Sequence, residues 1–201
     1  LIIILTLNTN SFMKHIKLLA VIAAMTICGT ISAQQTFFKV SYSNAAIEMK
    51  SGRSLVTENM NGLSVGVSQA RPLPGELPFF YEYGADAMAV FGDHNSTLVS
   101  AIVPVSLMYQ LDLGQIQLLP FAGLNLTAHI LGQSKYEGVT SDWFKSDNGD
   151  SAANRFQLCA QLGVKAVYNR YFLEFAYHPS LTNLADRTSL NLINVSFGFM
   201  F

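Results

Sequence analysis

Residues 156–168 read FQLCAQLGVKAVY and residues 171–178 read YFLEFAYH, with only Asn169-Arg170 between them. In the first stretch Phe156, Leu158, Ala160, Leu162, Val164, Ala166 and Tyr168 alternate with positions that include Gln157, Gln161 and Lys165. In the second, Tyr171, Leu173, Phe175 and Tyr177 stand opposite Glu174 and His178. Apolar residues at every second position line one face of an extended chain, because successive side chains of a strand point to opposite sides. A two-residue gap between two such runs is the length of a tight hairpin. The alternation does not say which face points outward.

The same period extends through the chain and predicts eight strands. The first runs from about Thr36 to Ile47, with Phe38, Val40 and Tyr42 on one face and Lys39, Ser41 and Ser43 on the other. The second sets Leu63, Val65 and Val67 against Ser64, Gly66 and Ser68. The third, Phe79 to Phe91, carries Glu82 and Asp86 on its more polar side. The fourth has Val99, Val103, Val105, Leu107 and Tyr109 on its apolar side, and the fifth has Ile116, Leu118, Leu124, Leu126 and Ile130. The sixth and seventh are the two stretches quoted above. The last sets Ile193, Val195, Phe197, Phe199 and Phe201 against Asn194, Ser196 and Gly198.

Composition narrows what such strands can build. Half of the 201 residues are hydrophobic and only 12% are charged, against about 25% in an average soluble domain. The formal charge is −1 with no basic block, which excludes a nucleic-acid binder. Beyond residue 33 no apolar run approaches the roughly 18 residues of a spanning helix. The other structure that can cross lipid is a closed β-barrel. The predicted fold is therefore all-β, an eight-stranded antiparallel up-and-down transmembrane β-barrel over residues 34–201.

The N-terminus reads as an address. Met13 is followed by Lys14, His15 and Lys17, then by an apolar stretch from Leu18 to Ile27 and by Ser32-Ala33. A basic start, a short apolar core and a small residue at the cut make residues 13–33 a signal peptide. Residues 1–12 lack a Met and read as a misassigned upstream start. Cleavage after Ala33 removes Cys28, leaving Cys159 alone, which excludes an internal disulfide. It also removes two lysines, so ten basic residues face thirteen acidic ones, a net charge of −3.

Connection lengths point the same way. With both ends in the periplasm, the long polar connection from Gly132 to Ala153 faces out, as do Met49 to Asn59 and Pro179 to Thr188, while Asp112 to Gln115 and Asn169-Arg170 are short inner turns. Pro104 and Pro120 fall inside predicted strands, where proline removes a ladder donor, so bulges or strand ends are expected there.

Three stretches carry a resemblance. The chain ends Phe199-Met200-Phe201, which looks like the C-terminal signal read by the outer-membrane assembly machinery, with Ser196 standing where that signal usually has Gly. Ile102-Val103-Pro104-Val105-Ser106-Leu107 leads to Leu119-Pro120-Phe121-Ala122-Gly123-Leu124, and Leu173-Glu174-Phe175-Ala176-Tyr177 leads to Ser180-Leu181-Thr182-Asn183-Leu184. Both resemble the outer-membrane β-barrel family of Bacteroidota that includes PorT-like proteins. The resemblance covers about the last hundred residues and the first half only by pattern. It implies an eight-stranded barrel in the cell outer membrane, and for one branch a part in type IX secretion. It implies no catalytic motif.

The titratable residues sort by face. Lys39, Glu82, Asp86, Lys165 and Glu174 lie on the polar side of their strands. In a lipid barrel that side lines the lumen, which in eight strands is just wide enough to be filled by side chains. The expectation is a packed lumenal polar network rather than a solute path. His178-Pro179-Ser180 is similar to the His-x-Ser arrangement of outer-membrane lipid A deacylases, in which histidine activates serine for ester cleavage. The residues that follow the serine there are missing, and Asp186 is the only acid downstream, so no residue is assigned as catalytic. Trp143 and Phe144 lie in the longest connection, where loop aromatics can anchor a partner. Asp147, Asn148 and Asp150 lack the spacing of a calcium loop. His94 and His129 are isolated, and neither metal nor cofactor is expected.

Three readings follow. The first is an outer-membrane barrel of structural or interaction type, whose partners are lipid, the assembly machinery and a protein held through outside loops, supporting secretion or surface binding. The second is a lipid hydrolase of the deacylase kind. The third is a secreted soluble barrel with an apolar ligand inside.

Overall fold

Every alternating segment becomes a strand in a computed structural model, which describes residues 35–201 apart from 52–53, 76, 94, 137–138, 146–151 and 186. The upstream stretch, the signal peptide, His94, Asp186 and the calcium candidates Asp147, Asn148 and Asp150 lie outside the described residues. The strands are β1 (Gln35–Ser51), β2 (Ser54–Pro72), β3 (Phe79–Phe91), β4 (Thr97–Tyr109), β5 (Leu111–Leu113), β6 (Ile116–Tyr136), β7 (Val139–Asp142), β8 (Phe156–Tyr168), β9 (Tyr171–His178) and β10 (Thr188–Met200). Hydrogen-bonded neighbours run β4-β3-β2-β1-β10-β9-β8-β6, and β4 also pairs with β6. Eight strands thus close into an antiparallel up-and-down barrel; β5 and β7 are short additions paired with β6. The seam between first and last strands is continuous from Phe37–Met200 to Met49–Thr188.

Closure settles which face is which. Leu162, Leu173 and Phe197 on the apolar side are 53–59% exposed, whereas Lys165 and Ser196 on the polar side are 1% exposed. The apolar face points outward and the polar face fills the interior, the reverse of a soluble barrel holding an apolar ligand. Outward aromatics gather toward the end that carries Gln35 and Phe201. There Phe38 meets Phe199, Phe79 meets Tyr109, Tyr81 stacks on Tyr83, and Tyr171 stacks on Phe197. We call this end the lower rim. A contiguous apolar surface around a closed barrel is far larger than a soluble monomer exposes.

Three local features differ from the sequence expectation. Met49 to Asn59, expected as a loop, is the top of a hairpin: β1 and β2 stay paired up to Ser51–Ser54, while β3 joins β2 only at Asn61–Phe91. Pro104 is accommodated without a bulge. The β3–β4 ladder runs to Tyr83–Val105 and resumes at Asp86–Ile102, skipping the positions where proline offers no donor. Pro120 lies just past the last β4–β6 pair, Met108–Phe121, so its missing donor costs nothing on that side. The register shift falls elsewhere, between Val99–Leu131 and Ser100–His129, leaving Ile130 as an extra residue in β6.

Glycines mark where side chains cross the interior. A Cβ on Gly198 would lie 2.1 Å from the Phe38 carbonyl oxygen and 2.5 Å from Cζ of Phe172. Gly198→Val therefore forces β1 or Phe172 aside at the seam. The expected cost is about 1–3 kcal/mol, typical of overpacking, read as a lowered urea midpoint of the refolded barrel. An outward change such as Val195→Leu leaves that midpoint essentially unmoved.

Candidate functional site

The interior is built in layers, beginning at the lower rim with an apolar floor of Phe37, Ala70, Met108, Leu119, Phe121, Val167, Phe172 and Ala176. Phe37 and Phe172 pack edge to face, with ring centroids 5.4 Å apart. A second apolar cluster fills the upper part with Ala45, Ile47, Met60, Met88, Val90, Leu98, Ile102, Leu184, Leu190 and Leu192. Between them lies the polar layer.

Strand parity on β1, β3, β8 and β9 turns Lys39, Glu82, Asp86, Lys165 and Glu174 into this layer, where all five converge. Lys39 Nζ is 3.1 Å from Asp86 Oδ2 and 3.2 Å from Glu174 Oε1. Lys165 Nζ is 2.9 Å from Glu82 Oε1 and 3.4 Å from Glu174 Oε2. Glu174 thus bridges both ammonium groups, one oxygen to each. Ser68 donates to Glu82, and Ser196 donates to Glu174 Oε1. Lys165 also lies 3.9 Å above the centre of the Phe37 ring, tying the charged layer to the floor through a cation–π contact. A void of about 10 Å³ borders Lys39, Glu82 and Glu174, room for about one water molecule, and a larger cavity of about 550 Å³ opens at the lower rim beside Gln35, Gln117 and Met200.

Above it, His178 sits between two amides. Asn125 Nδ2 is 2.7 Å from its Nδ1, and Asn194 Nδ2 is 3.3 Å from its Nε2. Ser180 is occupied separately: its hydroxyl accepts from Gln157 Nε2 at 2.8 Å and donates to the Thr182 carbonyl. The serine and the histidine are not hydrogen-bonded to each other, so the base–nucleophile contact that ester cleavage requires is missing. No group of three or more His, Cys, Asp or Glu side chains among the described residues could hold a metal ion.

Trp143 and Phe144, the possible partner-binding residues, turn toward the barrel interior. The extra residue at Ile130 reverses the parity of β6, so that Gly132 and Ser134 above it face inward. Trp143 Nε1 donates to Ser134 Oγ at 2.8 Å, and Phe144 stacks on His129 with centroids 6.0 Å apart. The Arg155 guanidinium carbon lies 4.7 Å from the centre of the Phe144 ring. Both rings are half-buried against the upper apolar cluster and close the mouth. A one-residue shift in register is invisible in sequence composition, so the placement of the rings is a finding of the fold. Phe199 and Phe201 take outward positions on and beside the seam strand.

Comparison with known proteins gives fold and nothing finer. No protein-family model matches the chain, and no curated protein matches it in sequence. Among solved structures it is similar to Ail, the attachment invasion locus protein of Yersinia pestis, with TM-score 0.54 and 9% identity over 85% of this chain and 100% of that one. It is also similar to the outer membrane enzyme PagL, with TM-score 0.50 and 11% identity over 80% of this chain and 97% of that one. Both share the barrel architecture.

The layer makes a stability prediction. Glu174→Gln leaves two buried ammonium groups short of charge, which in other buried pairs costs about 3–5 kcal/mol. Chemical denaturation of the refolded barrel measures it. Lys145→Ala breaks only the exposed pair with Asp142 and is expected to change stability by less than about 1 kcal/mol.

Proposed function

We propose that this chain is an outer-membrane β-barrel of structural or interaction type, with a sealed lumen and no catalytic role. The observation that carries the reading is the apolar outward face on a closed ladder. A closed barrel leaves no unpaired strand edge along its lipid-facing wall, and an apolar exterior of this size is stable only against hydrocarbon. The polar layer between two apolar fillings supports a plug rather than a pore. The separate engagement of His178 and Ser180 supports a non-enzymatic role, although the outer membrane enzyme PagL shares the architecture, since a fold hosts many functions. What remains for function is the part beyond the belt: the raised β1–β2 hairpin and the upper connections, which offer surface to a protein partner in secretion or at the cell surface. Kinship with the PorT-like family is part of this proposal.

The test begins with the native membrane fraction, run on a detergent gel with and without boiling. The expected result is an outer-membrane protein whose mobility shifts on heating. Recovery in a soluble fraction with no shift overturns the reading. Reconstituted in a planar bilayer, the barrel is expected to give no stepwise conductance. Leu162→Arg, a charge on the outward face, is expected to destabilise the lipid-embedded barrel by about 2–4 kcal/mol if Leu162 lies near mid-membrane.

A further inference from the structure

Arg71 is one of the cations that lie outside the ion pairs of the barrel. Lys39 and Lys165 are consumed inside, and Lys145 pairs with Asp142. No carboxylate among the described residues pairs with Arg71, and its buried Nε has no hydrogen-bond partner. The residue lies on the outward side of β2 near the lower rim. On that side the strand runs Leu63, Val65, Val67, Gln69, Arg71, so the arginine follows directly where the apolar belt ends. Its register partner is Tyr81, and that of Gln69 is Tyr83.

The guanidinium lies near an aromatic ring. Its carbon lies 5.9 Å from the centre of the Tyr83 ring. Tyr83 is fixed in turn, its hydroxyl donating to Gln69 Oε1 at 2.9 Å and its ring stacked on Tyr81 at 6.1 Å. An arginine presents its N–H donors in a fixed planar fork. A planar fork of this kind matches two oxygens of a phosphate. The aromatic ring beneath it suits the headgroup level of a bilayer, where amphipathic rings gather.

We infer that Arg71, positioned by Tyr83 and Gln69, binds the phosphodiester of a phospholipid headgroup in the leaflet around the lower rim. This rests on the membrane reading above. The site would fix the depth of the barrel at one point of its circumference and hold one lipid against β2 and β3.

The test uses the full barrel refolded in a neutral detergent. It is titrated with short-chain phosphatidylglycerol while native mass spectrometry counts bound lipid. The expected result is one retained lipid whose binding weakens about tenfold or more in Arg71→Gln, the scale of a lost charge-assisted hydrogen-bond pair. Arg71→Lys is expected to recover only part of it, and Arg170→Gln, at the turn between β8 and β9, to leave it unchanged. Equal binding by the wild type and Arg71→Gln overturns the inference. Displacement of the lipid by equimolar inorganic phosphate also overturns it, because the ligand would then be free phosphate. A heat-shift gel on each variant verifies folding. Failure of the wild type to enter phospholipid vesicles would instead defeat the membrane reading, a result distinct from either outcome at Arg71.

Discussion

Two ammonium groups, carried by strands far apart in the chain, share the carboxylate of Glu174. Lys39 belongs to β1 and Lys165 to β8, and Glu174 reaches each with a different oxygen. Charges this deeply buried are costly unless paired with good geometry. The geometry exists only when the sheet has closed, because β1 and β9 become near neighbours through β10 and not through sequence. The seam between β1 and β10 and the charged layer therefore depend on each other. Net stabilisation from a buried ion network is not large in general. Here the network rewards one register: sliding any of these strands by one residue would turn a charged side chain into the apolar exterior.

The apolar fillings above and below complete the device. The floor around Phe37 and Phe172 meets Lys165 directly, and the upper cluster is capped by Trp143 and Phe144. Together they surround the charged layer with apolar side chains and strengthen its pairing, since Coulomb attraction rises as the local dielectric falls. The same fillings remove the lumen as a transport path.

Much of the barrel was legible in the sequence because it rests on period two. The runs 156–168 and 171–178 correspond to β8 and β9 at both ends, and all five charged residues sorted to the correct face. What was missed shares one physical cause: it lies where the alternation carries no apolar contrast. Above the belt, β1 and β2 continue through Glu48, Thr57 and Asn59, polar enough to read as a loop, yet the backbone ladder holds them as strands. The inward turn of Trp143 and Phe144 depends on the extra residue at Ile130, a register fact that no side-chain pattern encodes. The partners of His178 come from two other strands, β6 and β10, so adjacency to Ser180 in sequence says nothing of its contacts in space. The pairing of Glu174 with Lys39 spans 135 residues and needed the closed fold to be seen.

The central claim is that parity along each strand separates lipid from a sealed interior, and β8 is the place to measure it. Single cysteines at Gln161, Leu162, Gly163 and Val164, in a Cys159→Ser background, are labelled with an environment-sensitive fluorophore. The labelled barrels are reconstituted in vesicles with brominated acyl chains. The account predicts strong quenching at positions 162 and 164 and weak quenching at 161 and 163. Equal quenching at all four positions, or quenching confined to 161 and 163, would contradict it.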